Sequence, residues 1–349
     1  MPARLLFAVL VGGALPLPSF AAARPKPSAA AAAAEAPSYA QREAVQAFAL
    51  ALAEDAPFNA AWVLRQLGQA RYQASVARLV MPPPAGTAKN WDAYRARMVD
   101  AQRVREGVRW SQRHATDLAR AEKDYGVPAE IVAAIVGVET YYGRITGNFR
   151  VLDALATLAF DFPSGRSDRS GFYQDELRAF LRWCHAEGRD PTSVRGSYAG
   201  AVGLPQFMPS SILRFAVDYD ADGRIDLGDH GADVVGSVAH YFAEYGWSRG
   251  EPTHFSVTAP TDKAALATLL APDIVPTFSA AQMTELGAEL EPAGQRFAGP
   301  LALVELQRGE APPTYVAGSR NFYVVTRYNW SAYYAMAVIE LAQQIKVSR

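Results

Sequence analysis

The 349-residue sequence contains one cysteine, Cys184, and almost no excess charge, with 34 lysines and arginines against 35 aspartates and glutamates. A single cysteine excludes an internal disulfide and any metal site built from several cysteines. The near-neutral balance argues against a protein that binds nucleic acid through a basic surface. Half of the residues are hydrophobic and 20% are charged. This composition excludes a disordered or fibrous chain, and the length allows two or three domains with sizeable cores.

The sequence also lacks an apolar run of membrane length. Its N-terminus has Arg4, a short apolar run at residues 5–11 and small residues at 21–23. This pattern predicts a signal peptide over residues 1–23 rather than a membrane-spanning helix. The Ala/Pro-rich residues 24–38 predict a flexible linker. Because no cysteine lies near the predicted cleavage region, we expect no lipid anchor and a soluble protein in a bacterial periplasm.

Periodicity divides the remaining chain into helical and strand-containing parts. Apolar residues recur at the helix period over most of residues 40–247, with Pro/Gly clusters between the predicted helices. Alternating polar and apolar residues predict strands at 253–258, 301–306 and 314–316. We therefore predict a mainly α-helical fold with an N-terminal helical domain at 39–125, a helical core at 126–249, a small α+β domain at 250–319 and a C-terminal part of the core at 320–349.

Glu139 lies at the end of an almost uncharged predicted helix. Ile131, Ile135 and Glu139 are spaced by four residues, so they share the helix face that should meet the core. A carboxyl group in apolar surroundings has a raised pKa, as a general acid near neutral pH requires. The pattern also allows a buried structural glutamate that pairs with Arg144 or with backbone groups.

The acidic segment at 218–226 has the spacing of the first half of an EF-hand loop. Asp218, Asp220 and Asp222 supply carboxylates at loop positions one, three and five. Gly223 stands at position six, and Arg224 at position seven would contribute its backbone carbonyl. The closing ligand is either Asp229 or Asp233, and a solvated acidic turn is the alternative. A single loop and few methionines favour a structural Ca²⁺ site over a calcium sensor.

Two further segments combine glycine, amide and aromatic residues. Residues 196–211 lack the Gly-Lys-Ser/Thr ending of a phosphate loop. In that segment, Gly200 and Gly203 would let a ligand approach the backbone, and Ser210 is predicted to cap the next helix. Residues 321–330 combine rings with amides, which suits sugar binding, although such aromatic pairs are more often core residues.

In combination, these segments resemble the lytic murein transglycosylase B family. The matching motifs occur in the family's order from about residue 40 to the C-terminus. They are Gly-Val-Pro at 126–128, Gly-Val-Glu-Thr at 137–140, Gly-Arg at 143–144, Leu-Asp-Ala-Leu-Ala-Thr-Leu at 152–158, Gly-Ser-Tyr-Ala-Gly-Ala at 196–201, Gln-Phe-Met-Pro-Ser-Ser at 206–211, the acidic loop, Asn-Phe-Tyr at 321–323 and Arg-Tyr-Asn at 327–329.

The resemblance implies a lysozyme-like helical core with the small domain inserted before the last core helix. It implies cleavage of the β-1,4 bond between N-acetylmuramic acid and N-acetylglucosamine in peptidoglycan glycan strands, with 1,6-anhydromuramyl ends as the product. Glu139 would be the single catalytic acid/base, and the N-acetyl group of the substrate would assist.

The resemblance also implies two sets of binding residues. Residues that contact sugar or position the glutamate would be Ser197, Gln206, Tyr241, Tyr328, Asn329 and Tyr334. Calcium ligands would be Asp218, Asp220, Asp222, the backbone of Arg224 and Asp233. The alignment beyond Asp229 needs a one-residue insertion, which leaves the closing ligand open.

Two other functions fit parts of the pattern. A lysozyme-type hydrolase would use Asp153 or Asp161 as a second carboxylate and would release reducing ends. A calcium-dependent cell-wall-binding module would bind murein without any soluble product.

Overall fold

The computed structural model describes residues 38–82, 89–228 and 231–349. The predicted signal peptide, the predicted linker apart from Ser38, and Asp229 lie outside this range. Within it the chain is mostly helical, and the predicted mainly α fold with a small strand-containing part is confirmed.

The helices and strands follow one another along the chain after a 3-10 helix at Tyr39–Gln41. The α-helices are α1 Glu43–Ala53, α2 Ala60–Leu67, α3 Ala74–Leu79, α4 Trp91–Met98, α5 Ala101–Arg113, α6 Ala115–Tyr125, α7 Ala129–Thr140, α8 Val151–Phe160, α9 Ser170–Ala186, α10 Pro209–Phe215, α11 Ala232–Glu244, α12 Lys263–Leu270, α13 Ala280–Glu285, α14 Pro292–Gln295, α15 Arg320–Thr326 and α16 Ala332–Val347. The strands are β1 Phe149–Arg150, β2 Arg195–Gly196, β3 His254–Thr258, β4 Glu289–Leu290, β5 Ala302–Arg308 and β6 Ala311–Gly318.

Side-chain caps set several helix ends that periodicity does not locate. The apolar pattern of residues 90–125 is divided into α4, α5 and α6. Asp100 caps the start of α5, since its Oδ1 accepts hydrogen bonds from the backbone N–H groups of Gln102 and Arg103, both at 2.9 Å. An aspartate at this position satisfies amides that the first turn leaves free.

The described chain forms two compact units. Unit 1 contains the described residues of Pro84–Ile145 and Phe215–Arg349, and unit 2 those of Ala8–Pro83 and Thr146–Arg214. In unit 1, α7 packs against α16 and α5, and α11 packs against α6. Residues 131–138 of α7 are buried without interruption. A helix that is apolar on all sides belongs inside a core, and α7 is the central helix of this unit.

Unit 1 also carries a four-stranded antiparallel sheet in the order β4-β3-β6-β5. Its register places Phe255 opposite Ala317 and Leu303 opposite the same alanine. The inner face of the sheet and the helices beside it form a hydrophobic cluster of their own, which includes Leu269 and Met283. The strand segments expected from alternation are confirmed here.

In unit 2, α8 and α9 pack together. Residues 151–159 of α8 are all buried, including Asp153 and Thr157. The predicted capping role of Ser210 is wrong, because α10 begins at Pro209. Ser210 instead donates from its N–H and Oγ to the buried Glu176 carboxylate, at 2.9 and 2.7 Å. A side chain from another helix thus satisfies the first turn of α10.

Two further features of the described chain are the apolarity of its helices and the burial of its cysteine. None of the described helices combines the length and apolarity needed to cross a membrane. Cys184 is buried in α9, and burial raises the pKa of its thiol to about 12.

Candidate active site

Glu139 lies one residue before the end of α7, after a continuous run of buried apolar residues. It keeps a small exposed surface, whereas the residues on either side of it are buried. Burial raises the pKa of its carboxyl group to about 7, and the hydrogen bond from Tyr334 acts in the opposite direction. A carboxyl group with this pKa is divided between its acid and base forms at neutral pH, as acid/base catalysis requires.

Tyr334, on α16, is the hydrogen-bond partner of Glu139. Its hydroxyl donates to Glu139 Oε1 at 2.5 Å. The Tyr334 side chain is fully buried, and burial followed by the Glu139 charge raises the pKa of its hydroxyl well above the usual value. Tyr334 therefore remains a neutral donor, and its place in the core fixes the orientation of the glutamate.

Further tyrosines form an aromatic column behind this pair. The Tyr328 ring stacks on Tyr334 with centroids 6.4 Å apart, and the Tyr241 ring lies 4.7 Å from Tyr328. The Tyr241 hydroxyl donates to the backbone oxygen of Arg327 at 2.7 Å. Asn329 is also buried in this unit. The structure thus brings three residues that the family resemblance selected, Tyr334, Tyr328 and Tyr241, into one continuous set of contacts with Glu139.

The chain leaves α7 through an unusual turn directly after the glutamate. Tyr141 and Tyr142 have φ values of 52° and 57°, and Gly143 continues with 89°. The left-handed region is costly for side chains as large as tyrosine. The turn is held by the Tyr141 and Tyr142 N–H groups, which donate to Gly137 O and Val136 O at 3.1 and 3.3 Å.

Tyr142 occupies a slot between two glycines. A Cβ atom added to Gly107 on α5 or to Gly137 on α7 would lie 2.4 Å from the Tyr142 hydroxyl oxygen in either case. That hydroxyl is buried and has no hydrogen-bond partner among the described residues. The ring is therefore held by shape, and it fixes the turn that follows Glu139.

The structure does not contain the alternative ion pair between Glu139 and Arg144. The Arg144 guanidinium pairs with Glu106 at 2.7 Å. Glu139 is bonded to a neutral hydroxyl, and its pKa is set by burial and by that bond. A carboxylate in this state is poorly suited to a purely structural role, since an ion pair would stabilise its charge.

The acidic loop places three carboxylates close together. Oxygen atoms of Asp218, Asp220 and Asp222 lie within 4.8 Å of one another. The Asp222 N–H favours the charged form of Asp220, but desolvation and the neighbouring Asp233, Asp222 and Asp218 carboxylates together raise the pKa of Asp220. Gly223 has a φ of 89°, as the tight turn at this position of such a loop requires.

Asp233 holds the two ends of this loop together. It is buried in the first turn of α11 and accepts hydrogen bonds from the N–H groups of Tyr219 and Asp226, at 2.6 and 2.8 Å. The Tyr219 ring packs on α11, where a Cβ atom at Gly236 would lie 2.3 Å from it. The Tyr219 hydroxyl donates to Asp124 of α6 at 2.8 Å. The loop is thus attached to the helices of unit 1.

The remaining predicted substrate residues, Ser197 and Gln206, lie in a tight loop of unit 2. Ser197 Oγ accepts from the Ala201 N–H at 3.0 Å. Gln206 Nε2 donates to Gly203 O and Thr146 O at 2.9 and 3.2 Å, and Gln206 itself has a φ of 49°. Both side chains hold the loop in shape. At Gly200, a Cβ atom would meet Leu155 at 2.5 Å, so packing and a φ of 92° explain this glycine.

Asp153 and Asp161, the alternative second carboxylates, are both engaged within unit 2. Asp153 is buried and accepts from the Arg71 N–H at 3.0 Å and from Gln73 Nε2 at 3.2 Å. Asp161 accepts from the Tyr39 hydroxyl at 2.5 Å and pairs with Arg42 at 2.8 Å. These bonds join the first helices of the unit to α8, which is a structural use of both groups.

Comparison with known proteins decides the family. The sequence matches the family described as Transglycosylase SLT domain over residues 40–343. The chain belongs to this family. It is 38% identical over 296 residues to the membrane-bound lytic murein transglycosylase B of Escherichia coli (strain K12), a match that covers 81% of this chain and 77% of that protein.

Solved structures of transglycosylases agree with this result. The soluble lytic transglycosylase SltB1 from Pseudomonas aeruginosa superimposes with a TM-score of 0.79 at 40% identity, over 88% of this chain and 99% of that one. The E. coli lytic transglycosylase Slt35 in complex with calcium gives a TM-score of 0.75 at 34% identity, over 89% and 95% of the two chains. The predicted family resemblance and lysozyme-like fold class are confirmed, and the chain is a lytic transglycosylase enzyme.

Tyr94 interacts with the candidate site of this transglycosylase, and the sequence analysis missed it. Burial, followed by the charge of Glu139, raises the pKa of its hydroxyl to about 12, so the Tyr94 hydroxyl lies near enough to Glu139 to interact with it electrostatically. In the sequence, Trp91, Tyr94 and Met98 recur at helix spacing, which is typical of an ordinary core face. Nothing local distinguishes a tyrosine that faces a carboxylate from one that faces leucines.

Proposed function

We propose that this transglycosylase cleaves the β-1,4 bond between N-acetylmuramic acid and N-acetylglucosamine in peptidoglycan, and forms 1,6-anhydromuramyl ends. The observation that carries the proposal is the state of Glu139. Its pKa is raised to about 7 by burial, it accepts a bond from Tyr334, and no charged group contributes to its pKa among the described residues. A reaction that needs only one carboxyl group, used twice, fits this arrangement.

In the first half of the reaction, protonated Glu139 acts as the acid. It transfers its proton to the glycosidic oxygen while the bond from that oxygen to C1 of the muramyl residue breaks. The leaving sugar thus departs as a neutral alcohol. The N-acetyl group of the muramyl residue would stabilise the positive charge at C1, as in glycosidases that use substrate assistance. Tyr334 holds the carboxyl group in one orientation throughout this step.

In the second half, the Glu139 carboxylate acts as the base. It removes the proton from the C6 hydroxyl of the same sugar, and the C6 oxygen forms the new bond to C1. One bond to C1 breaks and one forms, the proton returns to Glu139, and no water is consumed. The buried surroundings of the carboxyl group favour the return of the proton, because they disfavour its charged form.

Mass spectrometry of digested sacculi tests the proposal. We expect muropeptides with anhydro ends, which are lighter by one water than hydrolysed products. Reducing ends without anhydro products would contradict the proposal and would favour the muramidase alternative. Binding to sacculi with no soluble product would favour a cell-wall-binding module instead.

Replacement of Tyr334 by phenylalanine should move the pH profile. The Tyr334 hydrogen bond lowers the pKa of Glu139, so its loss should raise that pKa further. Because the first step needs the protonated acid, the alkaline limb of kcat/KM should shift to higher pH, by about half a unit to one unit. The measurement is the pH profile of anhydromuropeptide release for both proteins. An unchanged profile, or an acid shift, would show that the bond does not tune Glu139.

For the acidic loop, we propose a structural Ca²⁺ site. Asp218, Asp220 and Asp222 would supply carboxylate oxygens, and the Arg224 carbonyl would supply a backbone ligand. Two observations support the binding of a cation by these residues. The three carboxylates lie close together, and the pKa of Asp220 is raised, an effect that a bound cation would reverse. Asp233 would act as the closing residue, through the amides it binds or as a ligand. The ion would offset the charge of the cluster and take no part in the chemical step.

Removal of calcium should lower the melting temperature. A ligand that binds only the folded state at a hundred times its Kd stabilises it by about 2.7 kcal/mol. We therefore expect chelation to lower the melting temperature by several degrees, and excess Ca²⁺ to restore it. In Asp222→Asn the shift should shrink, whereas Asp175→Asn, at an exposed aspartate outside the loop, should keep it. If neither the chelator nor excess Ca²⁺ changes the melting temperature of the wild type, the proposed calcium site is wrong.

The other residues that the family resemblance implies enter the proposal through the parts of the chain they organise. Tyr241 and Tyr328 would support Tyr334 and the glutamate, and Asn329 would contact sugar beside them. Ser197 and Gln206 would act by shaping the loop at 196–207, whose backbone would meet the substrate. We place the enzyme in the periplasm, where peptidoglycan glycan strands are the partner.

A further inference from the structure

Unit 2 contains a cavity of about 470 Å³ lined by three arginines. Arg71, Arg150 and Arg195 form its wall together with residues 68–70 and Thr192. No acidic side chain belongs to this lining within the described part of the chain. The proposed catalytic step uses none of these residues, so the cavity needs its own explanation.

Two of the arginines are direct partners in a strand pair. Arg150 of β1 lies opposite Arg195 of β2 in an antiparallel register. Like charges in directly opposed positions destabilise a strand pair. An anion bound between them would turn this repulsion into attraction, which gives the placement a function.

The third observation is the state of the Arg150 guanidinium. One nitrogen donates to Gln69 O at 3.1 Å and lies 3.6 Å from Asp153 Oδ1. Its Nε is buried and has no hydrogen-bond acceptor among the residues described. The side chain is therefore oriented by the protein while part of its donor capacity is unused, a state that lowers the entropic cost of binding an oxyanion.

Two carboxylates, Asp153 and Asp190, lie near the cavity, but three arginines leave its net charge positive. Asp153 is occupied by the Arg71 N–H and by Gln73. Asp190 accepts from the N–H and hydroxyl of Thr192, and these bonds, followed by the charge of Arg150, lower the pKa of its carboxyl group. The lining thus contributes three guanidinium groups, and both nearby carboxylates already accept hydrogen bonds from other donors.

Thr192 indicates which kind of anion fits. Its hydroxyl hydrogen is donated to Asp190 Oδ2 at 2.7 Å, so the oxygen can only accept a further bond. Residues 68–70 also belong to the lining. A fully ionised phosphate monoester offers no donor to this oxygen, whereas a peptide with free carboxylates offers oxyanions to the arginines and N–H groups to the Thr192 oxygen.

We propose that this cavity binds the carboxylate-bearing peptide of the peptidoglycan substrate. The inference rests on the proposed function for the identity of the substrate. It assigns Arg71, Arg150 and Arg195 to recognition of the peptide, separately from the cleavage of the sugar bond. The contacts are charge-assisted hydrogen bonds, so binding weakens as salt rises.

Direct binding of a free peptide tests the cavity without any catalysis. Isothermal titration would use a synthetic murein tripeptide with free carboxylates, and the same peptide with its carboxylates amidated. Arg71→Gln and Arg195→Gln should each raise the Kd for the free peptide about tenfold, since one charge-assisted contact is lost. Arg78→Gln, at an exposed arginine of the same unit outside the cavity, should leave the Kd unchanged.

Kinetics on two substrates connect the cavity to the reaction. On glycan strands that carry peptides, Arg71→Gln and Arg195→Gln should raise KM about tenfold with little change in kcat. On strands stripped of peptide by an amidase, the variants and the wild type should act alike. Absence of all activity would defeat the proposed function, while the titration with free peptide would still decide the cavity.

Three results would overturn the inference. One is equal affinity for the free and the amidated peptide. Another is an unchanged Kd in both cavity variants. The third is tight binding of inorganic phosphate with no binding of the peptide, which would assign the cavity to a phosphorylated ligand instead.

Discussion

Replacement of Glu139 by glutamine should abolish the release of anhydromuropeptides and leave the fold intact. A general acid or base contributes about 10²- to 10⁴-fold to a rate, and here one group serves in both roles. We therefore expect a loss of at least about 10³-fold in kcat. The amide of glutamine can still accept the Tyr334 hydrogen bond, so the aromatic column should keep its arrangement.

The matched control for this variant is Glu130→Gln on the same helix. Glu130 lies in the first turn of α7 and pairs at the surface with Lys346 at 2.7 Å. Its replacement should leave kcat unchanged and cost little stability, as is usual for an exposed ion pair. Substantial residual activity in Glu139→Gln would sink the assignment of Glu139 as the acid/base.

Stability gives an independent measurement on the same variant. The pKa of Glu139 is raised from 4.5 to about 7 by burial, so the folded state holds a proton that the unfolded state releases between these values. The free energy of unfolding of the wild type should therefore fall as pH rises from about 4.5 to 7, by an amount on the order of 2 kcal/mol. Glu139→Gln should lose this dependence and be the more stable protein at pH 7 and above.

The second large effect should come from Gly137→Ala. The added Cβ would lie 2.4 Å from the hydroxyl oxygen and 2.6 Å from Cζ of Tyr142, both buried in the core. Overpacking of this kind costs about 1–3 kcal/mol, which outweighs the better helix propensity of alanine. Because Tyr142 fixes the turn after Glu139, kcat should also fall. Urea unfolding and product release measure the two effects.

Two further variants show whether the slot is the cause. Gly171→Ala, at a helix position where a Cβ atom meets nothing within 4 Å, should be neutral or stabilising. Tyr142→Phe removes a buried hydroxyl that has no partner among the described residues, so alone it should cost little. Combined with Gly137→Ala it should restore part of the lost stability. Strictly additive effects in this double mutant would contradict a shape-based contact.

Local pattern was enough to predict the central helix and the sheet. The four-residue spacing of Ile131, Ile135 and Glu139 depends only on helix geometry. The structure contains the predicted helix, and burial raises the pKa of Glu139 as predicted. The strands likewise follow from alternation of polar and apolar residues. Both patterns arise within a single segment of the chain, so they can be recognised without knowing which distant segments pack together.

Other features depend on contacts between distant segments, and the sequence did not reveal them. The slot for Tyr142 needs Gly107 and Gly137, which meet only after two helices pack. The predicted Ser210 cap was wrong because the helix begins at Pro209, and the N–H and Oγ of Ser210 donate to Glu176 of another helix. Arg71, Arg150 and Arg195 come from three segments, and no spacing rule predicts that they line one cavity.

The lone cysteine gives the protein a practical property. Cys184 is buried, and with a pKa of about 12 only about one molecule in ten thousand would carry a thiolate at pH 8. Maleimide dyes and spin labels react with thiolates, so the native fold should take up almost no label. A cysteine introduced on the surface of either unit would therefore be labelled alone, and a pair, one in each unit, would allow distance measurements in solution without first removing Cys184.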